Sequence, residues 1–451
     1  MNRRAFVSSL AVAGAAVAAR PRLMAAETKP PLKVGIIGCG WYAGVNYAAF
    51  ARNTDVEVVS LCDPNTQSLD KTLKLVAQHQ GSVPRTFADY REMLAAEKID
   101  VAIIATPDHW HALPAIAAMQ AGADLYLEKP VGVDVLEGEA LVAVARKLDR
   151  VVQVNTQRRS NPLYLEAKEK YLTSGRLGKI GCVETYSYLG SEGWSDGPIP
   201  DAPVPAHLNY DLWTGPAPLL PFKAVMEDRG WRAFMEFGNG PIGNLGVHMV
   251  DKVRWLLGLG WPESVYSTGG IYVHKKSFSN IPDTEKTVLH YRDLDLSWEH
   301  RMWGRSPIPP RHWSDQWGAR FVGENGTLNL TMFEYVFTPK DGPREGVHML
   351  STTGDLENID FKRQNTAYTE TENRHVQNFL EARVTRSRPI ADIEEGHISS
   401  ACCVLGNLSL QLGRQLRYDP KTRTIPGDPE ATRLLARSYR GPWIHPDPAN
   451  V

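Results

Sequence analysis

The chain has only five cysteines in 451 residues, with no Cys-x-x-Cys pair and no dense cluster of cysteine and histidine. That spacing supplies neither a disulfide framework nor the ligands of a structural zinc, and no metal site is expected. Cys402 and Cys403 are neighbours and read as packed positions inside a helix. Neither sign of charge is in excess: 50 lysines and arginines stand against 51 aspartates and glutamates. This balance excludes a protein that holds nucleic acid through a bulk basic field. Repeats are absent, and no segment has the ~20 strongly apolar residues of a stable membrane span. What remains is close to a globular average, 43% hydrophobic and 22% charged, in a chain too long for one ordinary core. Tryptophan is plentiful: ten of the twelve follow residue 190. Flat aromatic surface concentrated there suits a carbohydrate groove.

Residues 1–26 carry Arg3 and Arg4, then Phe6 and a weakly hydrophobic, Ala-rich stretch. The pattern is that of a twin-arginine signal, so the protein is expected in the periplasm or otherwise exported. That route moves proteins already folded, which suits an enzyme that first acquires a bulky cofactor. Free dinucleotide is scarce outside the cytoplasm, so such a cofactor is expected to be tightly bound or recycled by a partner.

Residues 33–37 form a short β-branched run that leads into Gly38-Cys39-Gly40-Trp41-Tyr42-Ala43 and then a helix-compatible stretch to Arg52. This is the Gly-x-Gly-x-x-Ala fingerprint in its strand–turn–helix setting. Gly38 permits the tight turn, Gly40 lets backbone approach a pyrophosphate, and Ala43 lets the helix lie on the sheet. A second strand, 56–62, ends at Asp63, placed to bond the adenosine ribose 2′-OH and to repel a 2′-phosphate. NAD is expected rather than NADP. Helices at 72–79, 114–121 and 137–148 alternate with strands at 101–105, 124–127 and 151–154, giving an α/β doubly wound parallel sheet over 32–155. Two polar groups follow its strands: Thr106, Pro107, Asp108, His109, Trp110 and His111 after one, Glu128 and Lys129 after another.

These blocks resemble the glucose–fructose oxidoreductase / inositol dehydrogenase / rhizopine catabolism (Gfo/Idh/MocA) family. The matching residues are GCGWYA at 38–43, CDP at 62–64, ATPDHWHA at 105–112, EKP at 128–130, and the glycine-rich run from Gly240 to His248. The ending, with His375 and GRQLRYD at 413–419, resembles an extension of exported members. The resemblance implies a Rossmann domain followed by an α/β domain on a large open, mostly antiparallel sheet, with sugars or polyols as substrates. It implies that Lys129 is the catalytic-site lysine, oriented by a cis bond at Pro130, and that His248 is the catalytic histidine. Asn244 stands where familiar members carry Asp.

The residues themselves point to the same chemistry. Removing hydride from an alcohol carbon requires a proton acceptor at its oxygen, a task suited to His248. A helix over 243–257 sets Asn244 and His248 at i, i+4, facing one site. Without a carboxylate at 244, His248 is expected to be less basic. The Lys129 ammonium can hold a hydroxyl and stabilise a developing alkoxide. Trp41, Tyr42, Thr106, Pro107, His109, His111 and Glu128 are expected around the cofactor. Arg158, Trp231 and Arg232 are expected to contact substrate along with Lys129, Asn244 and His248. Residues 190–240, rich in Pro, Gly and Trp, include Trp194, Tyr210 and Trp213. Strands are expected at 182–188, 265–273, 287–291 and 295–300 within a substrate and oligomerisation domain over 156–372. Residues 373–451 read as a helical segment and an arm around the body or a neighbouring subunit, in a homodimer or homotetramer. The leading reading is an NAD-dependent oxidoreductase of a sugar or polyol hydroxyl. An NAD-dependent glycosidase or lyase, using transient oxidation and recycled cofactor, is the alternative. A cofactor-loaded sugar-binding protein without catalysis is the third.

Overall fold

The computed structural model describes residues 30–189, 197–227, 229–307, 313–348 and 367–451. The export segment and Trp194 lie outside the described residues. β1 (Leu32–Ile37), β2 (Val56–Cys62), β3 (Arg85–Phe87), β4 (Val101–Ile104), β5 (Asp124–Leu127) and β6 (Val152–Val154) form a wholly parallel sheet in the order β3-β2-β1-β4-β5-β6. Every residue of β4 and β5 is buried, as helices covering both faces require. The sequence reading missed β3, whose three residues are too few to show a period. The helix Thr66–Gln80 begins six residues before the expected start. Asn65 sets its beginning by accepting from the Gln67 and Ser68 N–H groups.

The second sheet holds β7 (Ile180–Ser187), β8 (Ser264–Gly270), β9 (Thr284–Tyr291), β10 (Leu294–Arg301), β11 (Trp317–Gly323), β12 (Gly326–Leu330), β13 (Glu334–Pro339) and β14 (Glu345–His348). Their order is β14-β13-β12-β11-β7-β10-β9-β8, antiparallel throughout except between β7 and β10. Burial alternates strictly along β9, so one face lies on the core and the other is outside.

The carboxy-terminal segment completes both halves. The helix Ala367–Thr385 sends Val376, Phe379 and Ala382 into the core of the first sheet. The helix Ile393–Leu412 is buried almost throughout and carries Cys402 and Cys403 inward. A Cβ on its Gly396 would strike Val154 of β6 at 2.5 Å, and one on Gly406 would press on Ile242 at 2.9 Å. The final arm wraps its own body: Trp443 meets Trp110 edge-on at 4.8 Å and Lys147 Nζ donates to the Val451 carbonyl.

An ionic knot fixes the elements that carry the site. Arg159, just after β6, donates through Nε and Nη2 to both oxygens of Asp251, each at 2.8 Å. Asp251 lies on the helix Val247–Leu257, and Ser399 of the helix Ile393–Leu412 donates to it at 2.9 Å. Asp251 is fully buried and Arg159 nearly so. Removing one partner leaves an uncompensated buried charge, which typically costs ~3–5 kcal/mol. Asp251→Ala is therefore expected to lower the unfolding free energy by that amount in urea denaturation. A loss below about 1 kcal/mol would mean that the pair is no better than a solvated one.

Candidate active site

β1 is flanked by β2 and β4, so the chain leaves it in opposite directions and a crevice opens beyond the carboxyl ends of these strands. A cavity of about 860 Å³ occupies the crevice, within the range of cofactor sites. At the β1 end Gly38 takes φ +90°, and a Cβ there would lie 2.5 Å from the Ala105 carbonyl carbon. Only glycine fits. A Cβ on Gly40 would meet nothing, and no side chain caps the helix Trp41–Asn53 that starts beside it. Its first N–H groups are thus available to an anion. Ala43 is fully buried where this helix meets the sheet. Trp41 stands at the rim beneath the Arg229 guanidinium, 4.8 Å from its ring centroid. Tyr42 shares a 2.8 Å hydrogen bond with Tyr368 and accepts from Gln157 Nε2 at 2.7 Å, leaving the crevice open.

Asp63 closes the glycine turn. Its Oδ2 accepts from the Cys39 N–H at 2.7 Å and its Oδ1 from the Asn65 N–H at 2.8 Å. Burial pushes the carboxyl up to about 6 while those two donors pull it back. It lines the cavity, and each oxygen has a lone pair left for a ribose hydroxyl.

At the far end Lys129 Nζ donates to Asn244 Oδ1 at 2.9 Å and to the Asn244 carbonyl at 3.1 Å. The Lys129–Pro130 bond is cis. Burial brings the ammonium down to about 8; among nearby charges Asp108 holds it up and Arg232 presses it down. Glu128 accepts from Asn155 and Asn46 at 2.7 and 2.9 Å, and burial raises it to about 7. Asn244 does not open a regular helix as its spacing predicts. It lies in a π-helical turn, Ile242–Gly246, that precedes the α-helix Val247–Leu257. Such wide turns recur at functional sites, and this one presents both oxygens of Asn244 to Lys129.

The His248 ring is 5.6 Å from that of Trp317, edge to face, and its Nδ1 is buried without a partner. Burial, then the charges of Lys129, Arg158 and Lys252, hold its pKa well below the ordinary value. Both effects favour the neutral imidazole. Its neighbouring arginines divide: Arg159 belongs to the ionic knot, whereas Arg158 lines the cavity with its guanidinium 5.2 Å from the Trp317 ring.

Thr106, Pro107 and His111 line the cavity. His111 makes contacts at 3.0 Å to the Thr106 carbonyl and 2.5 Å to that of Pro130, tying the two strand ends together. His109, expected beside them, turns away. Its Nε2 meets the Trp213 carbonyl at 3.1 Å and its ring packs on Phe237, because the helical turn Asp108–Trp110 points successive side chains in different directions. Tyr210 and Trp213 belong to a separate aromatic core, from which Trp213 and Trp231 reach the cavity. Arg232 stacks on Trp231 at 4.2 Å and lines it too. Sequence reasoning gave no role to Gln157, Glu227, Arg229 or Tyr368, all of which line the cavity beside Trp317. Gln157 adjoins Arg158 and was within reach of the sequence; the others arrive only through tertiary folding.

Thr106 Oγ1, Arg158 Nη1 and His248 Nδ1 are buried in this lining without hydrogen-bond partners. With the uncapped helix and Asp63, they fit a dinucleotide whose reactive end meets Lys129 and His248. Residues 32–156 match the oxidoreductase family's NAD-binding Rossmann fold, and 186–266 with 346–445 match its C-terminal alpha/beta domain. The chain belongs to the Gfo/Idh/MocA family. The D-glucoside 3-dehydrogenase of Escherichia coli (strain K12) is 26% identical over 247 residues, 54% of this chain and 59% of that protein, so the match spans less than two thirds of it. A glycosyl hydrolase family 109 protein of Stenotrophomonas maltophilia (strain K279a) is 35% identical over 139 residues, 30% of each chain. An Agrobacterium radiobacter oxidoreductase solved with NAD+, L-tartaric acid and magnesium has 17% sequence identity and a TM-score of 0.64, covering 86% of this chain and 98% of that one. It shares the fold. Among the described residues no helix is long and apolar enough to cross a membrane.

Asn244→Asp would set a carboxylate against Lys129 and one turn before His248. An opposite charge favours the protonated forms, so the Lys129 ammonium is expected to rise from about 8 and His248 to become more basic. NMR titration of the His248 ring reads the second change directly. An unchanged or lower pKa in the variant contradicts this account.

Proposed function

We propose that the chain transfers hydride between NAD and a hydroxyl-bearing carbon of a sugar or polyol. One observation carries this reading: a single cavity is lined at one end by Gly38 and Asp63 and at the other by Lys129, Asn244 and His248. Bound dinucleotide supplies the hydride acceptor. Lys129 donates to the substrate oxygen and stabilises its charge as the proton leaves. With its ammonium near 8, it also exchanges protons close to neutral pH. His248 Nδ1 is free to accept, a role that typically contributes ~10²–10⁴-fold. The positive charges of Lys129 and Arg158 make the imidazolium a ready donor, so an accepted proton is not retained.

Two carboxylates favour NAD over NADP. Glu227 Oε1 accepts from Asn65 Nδ2 at 3.2 Å and meets His207 Nε2 at 2.5 Å, bringing a second acid to the Asp63 end. The strap that carries it is bonded to the turn after β2: the Asn209 N–H donates to the Pro64 carbonyl at 3.0 Å and the Thr66 N–H to that of His207 at 2.9 Å. This cover over the crevice supports a tightly held cofactor, in keeping with export through the twin-arginine pattern to the periplasm. Tyr266, Val288 and Val322 are exposed on the eight-stranded sheet, which supports a homo-oligomer, dimer or tetramer.

The likeness of 139 residues of the chain to a glycosyl hydrolase family 109 protein favours a second reading, cleavage of a glycoside by transient oxidation without net redox change. Purified protein incubated with neutral sugars and polyols plus NAD, and separately with aryl glycosides and no added NAD, separates the two. NADH formation supports the first reading; aglycone release over many turnovers supports the second. Either activity is expected to fall ~10²–10⁴-fold in Lys129→Ala and His248→Ala, and turnover untouched by both substitutions would remove the catalytic assignment.

Asp63→Asn combined with Glu227→Gln removes both acids that oppose a 2′-phosphate. Fluorescence titration with NAD and NADP is expected to show NADP gaining on NAD. A ratio equal to that of wild type would place selectivity elsewhere.

A further inference from the structure

Asp108 opens the helical turn after β4, is 6% exposed, and lines the cavity. Its carboxylate has no hydrogen bond and no close ion pair among the described residues. The neighbouring acids differ, since Asp63 and Glu128 each accept from two donors. With no donor from the chain, its oxygens are left to whatever occupies the cavity.

The surroundings define that occupant. Asp108 Oδ2 and Trp231 Cζ3 each lie 3.4 Å from the place a Cβ on Gly238 would occupy, so acid and indole meet over a bare glycine. Arg232, stacked on Trp231, and Lys129 both line the cavity nearby. Burial raises the Asp108 carboxyl, while His111, Lys129, Arg232 and Arg437 pull it down. Asn244 gives Lys129 two acceptors but no negative charge, and Asp108 is the acid that acts most strongly on that ammonium.

We propose that Asp108 accepts hydrogen bonds from neighbouring hydroxyls of a neutral sugar or polyol at the reactive end of the cavity, and that it excludes substrates bearing a carboxylate. The proposal rests on the oxidoreductase reading for what that end does. A carboxylate only accepts, so it selects donors, and its two oxygens suit a vicinal diol. The Trp231 ring offers apolar surface for sugar C–H groups. A second carboxylate set directly against Asp108 meets a like charge there. A pocket built to bond a hydroxyl also penalises analogues that lack one, because its buried acid is then left unpaired.

Calorimetric titration of the NAD-loaded protein with D-glucose, myo-inositol and D-glucuronate tests this. Wild type is expected to bind the neutral compounds more tightly than the uronate. Asp108→Asn is expected to weaken neutral ligands by roughly tenfold or more and to narrow the margin over glucuronate, with NAD binding unchanged. Asp108→Ser provides a second variant, smaller than Asp108 and likewise uncharged. Lys129 faces Asp108, Arg232, Glu128 and Arg158; with the Asp108 charge removed, the pH at which Lys129 deprotonates, read from the pH dependence of neutral-ligand affinity, is expected to fall in both variants, a change that loss of packing alone would not produce. Tighter binding of glucuronate by wild type, or neutral-ligand affinity in both variants equal to wild type, overturns the assignment. Should no sugar yield NADH or aglycone while the variants still lose neutral-ligand affinity, the catalytic reading fails and the Asp108 site stands.

Discussion

A buried ammonium must find acceptors, and Lys129 finds both of its hydrogen-bond acceptors in one residue that the first domain does not contain. The parallel sheet delivers the lysine to the end of β5. Asn244 then receives it from the π-helical turn beneath the second sheet, with a side-chain oxygen and a main-chain oxygen about 3 Å away. The same turn launches the helix of His248, so the groups that would handle hydroxyl and proton share one mechanical origin. Were Asn244 displaced, Lys129 would lose its acceptors and His248 its placement together.

Electrostatics at this end are governed by burial. The site gathers Lys129, Arg158 and Arg232 around a neutral histidine, with Asp108 as the unpaired acid. Burial lowers the lysine and the histidine and raises the carboxyls of Glu128 and Asp108. Each shift disfavours the charged form of its group. Arg158 and Arg159 show how finely this is divided. They are sequence neighbours in one short helical turn, yet one guanidinium enters the cavity and the other neutralises Asp251 in the ionic knot.

Much of the first domain was legible because its signals are local. The glycine fingerprint, the acid after β2 and the Lys129 block all lie at strand ends whose apolar runs are unbroken, and periodicity located β2 and β5 to the residue. Local signals failed where capping or wide turns took over, as at Asn65 and at the π-helical turn of Asn244. The cavity wall was harder to see. Trp317 comes from β11 and Tyr368 from a helix near the end of the chain, and neither position carries a motif. His109 was misjudged for a different reason: a motif fixes where the backbone goes, but within one turn of helix adjacent side chains diverge by about 100°. Asp108 stands in the same motif and, with Thr106, Pro107 and His111, faces the ligand space. Residues 373–451 read as an appendage because helices far along the chain give no sign of which core they complete.

The helix Ile393–Leu412 has a mechanical corollary. It is pressed on β6 at Gly396 and on the second sheet's layer at Gly406, with clearances that a single methyl group would violate. A rod clasped that closely at both ends leaves little freedom for the sheets to swing about a hinge. The crevice mouth is spanned separately, by the strap that joins Leu208 to Asn65 through an isolated β-bridge and lays Arg229 on Trp41.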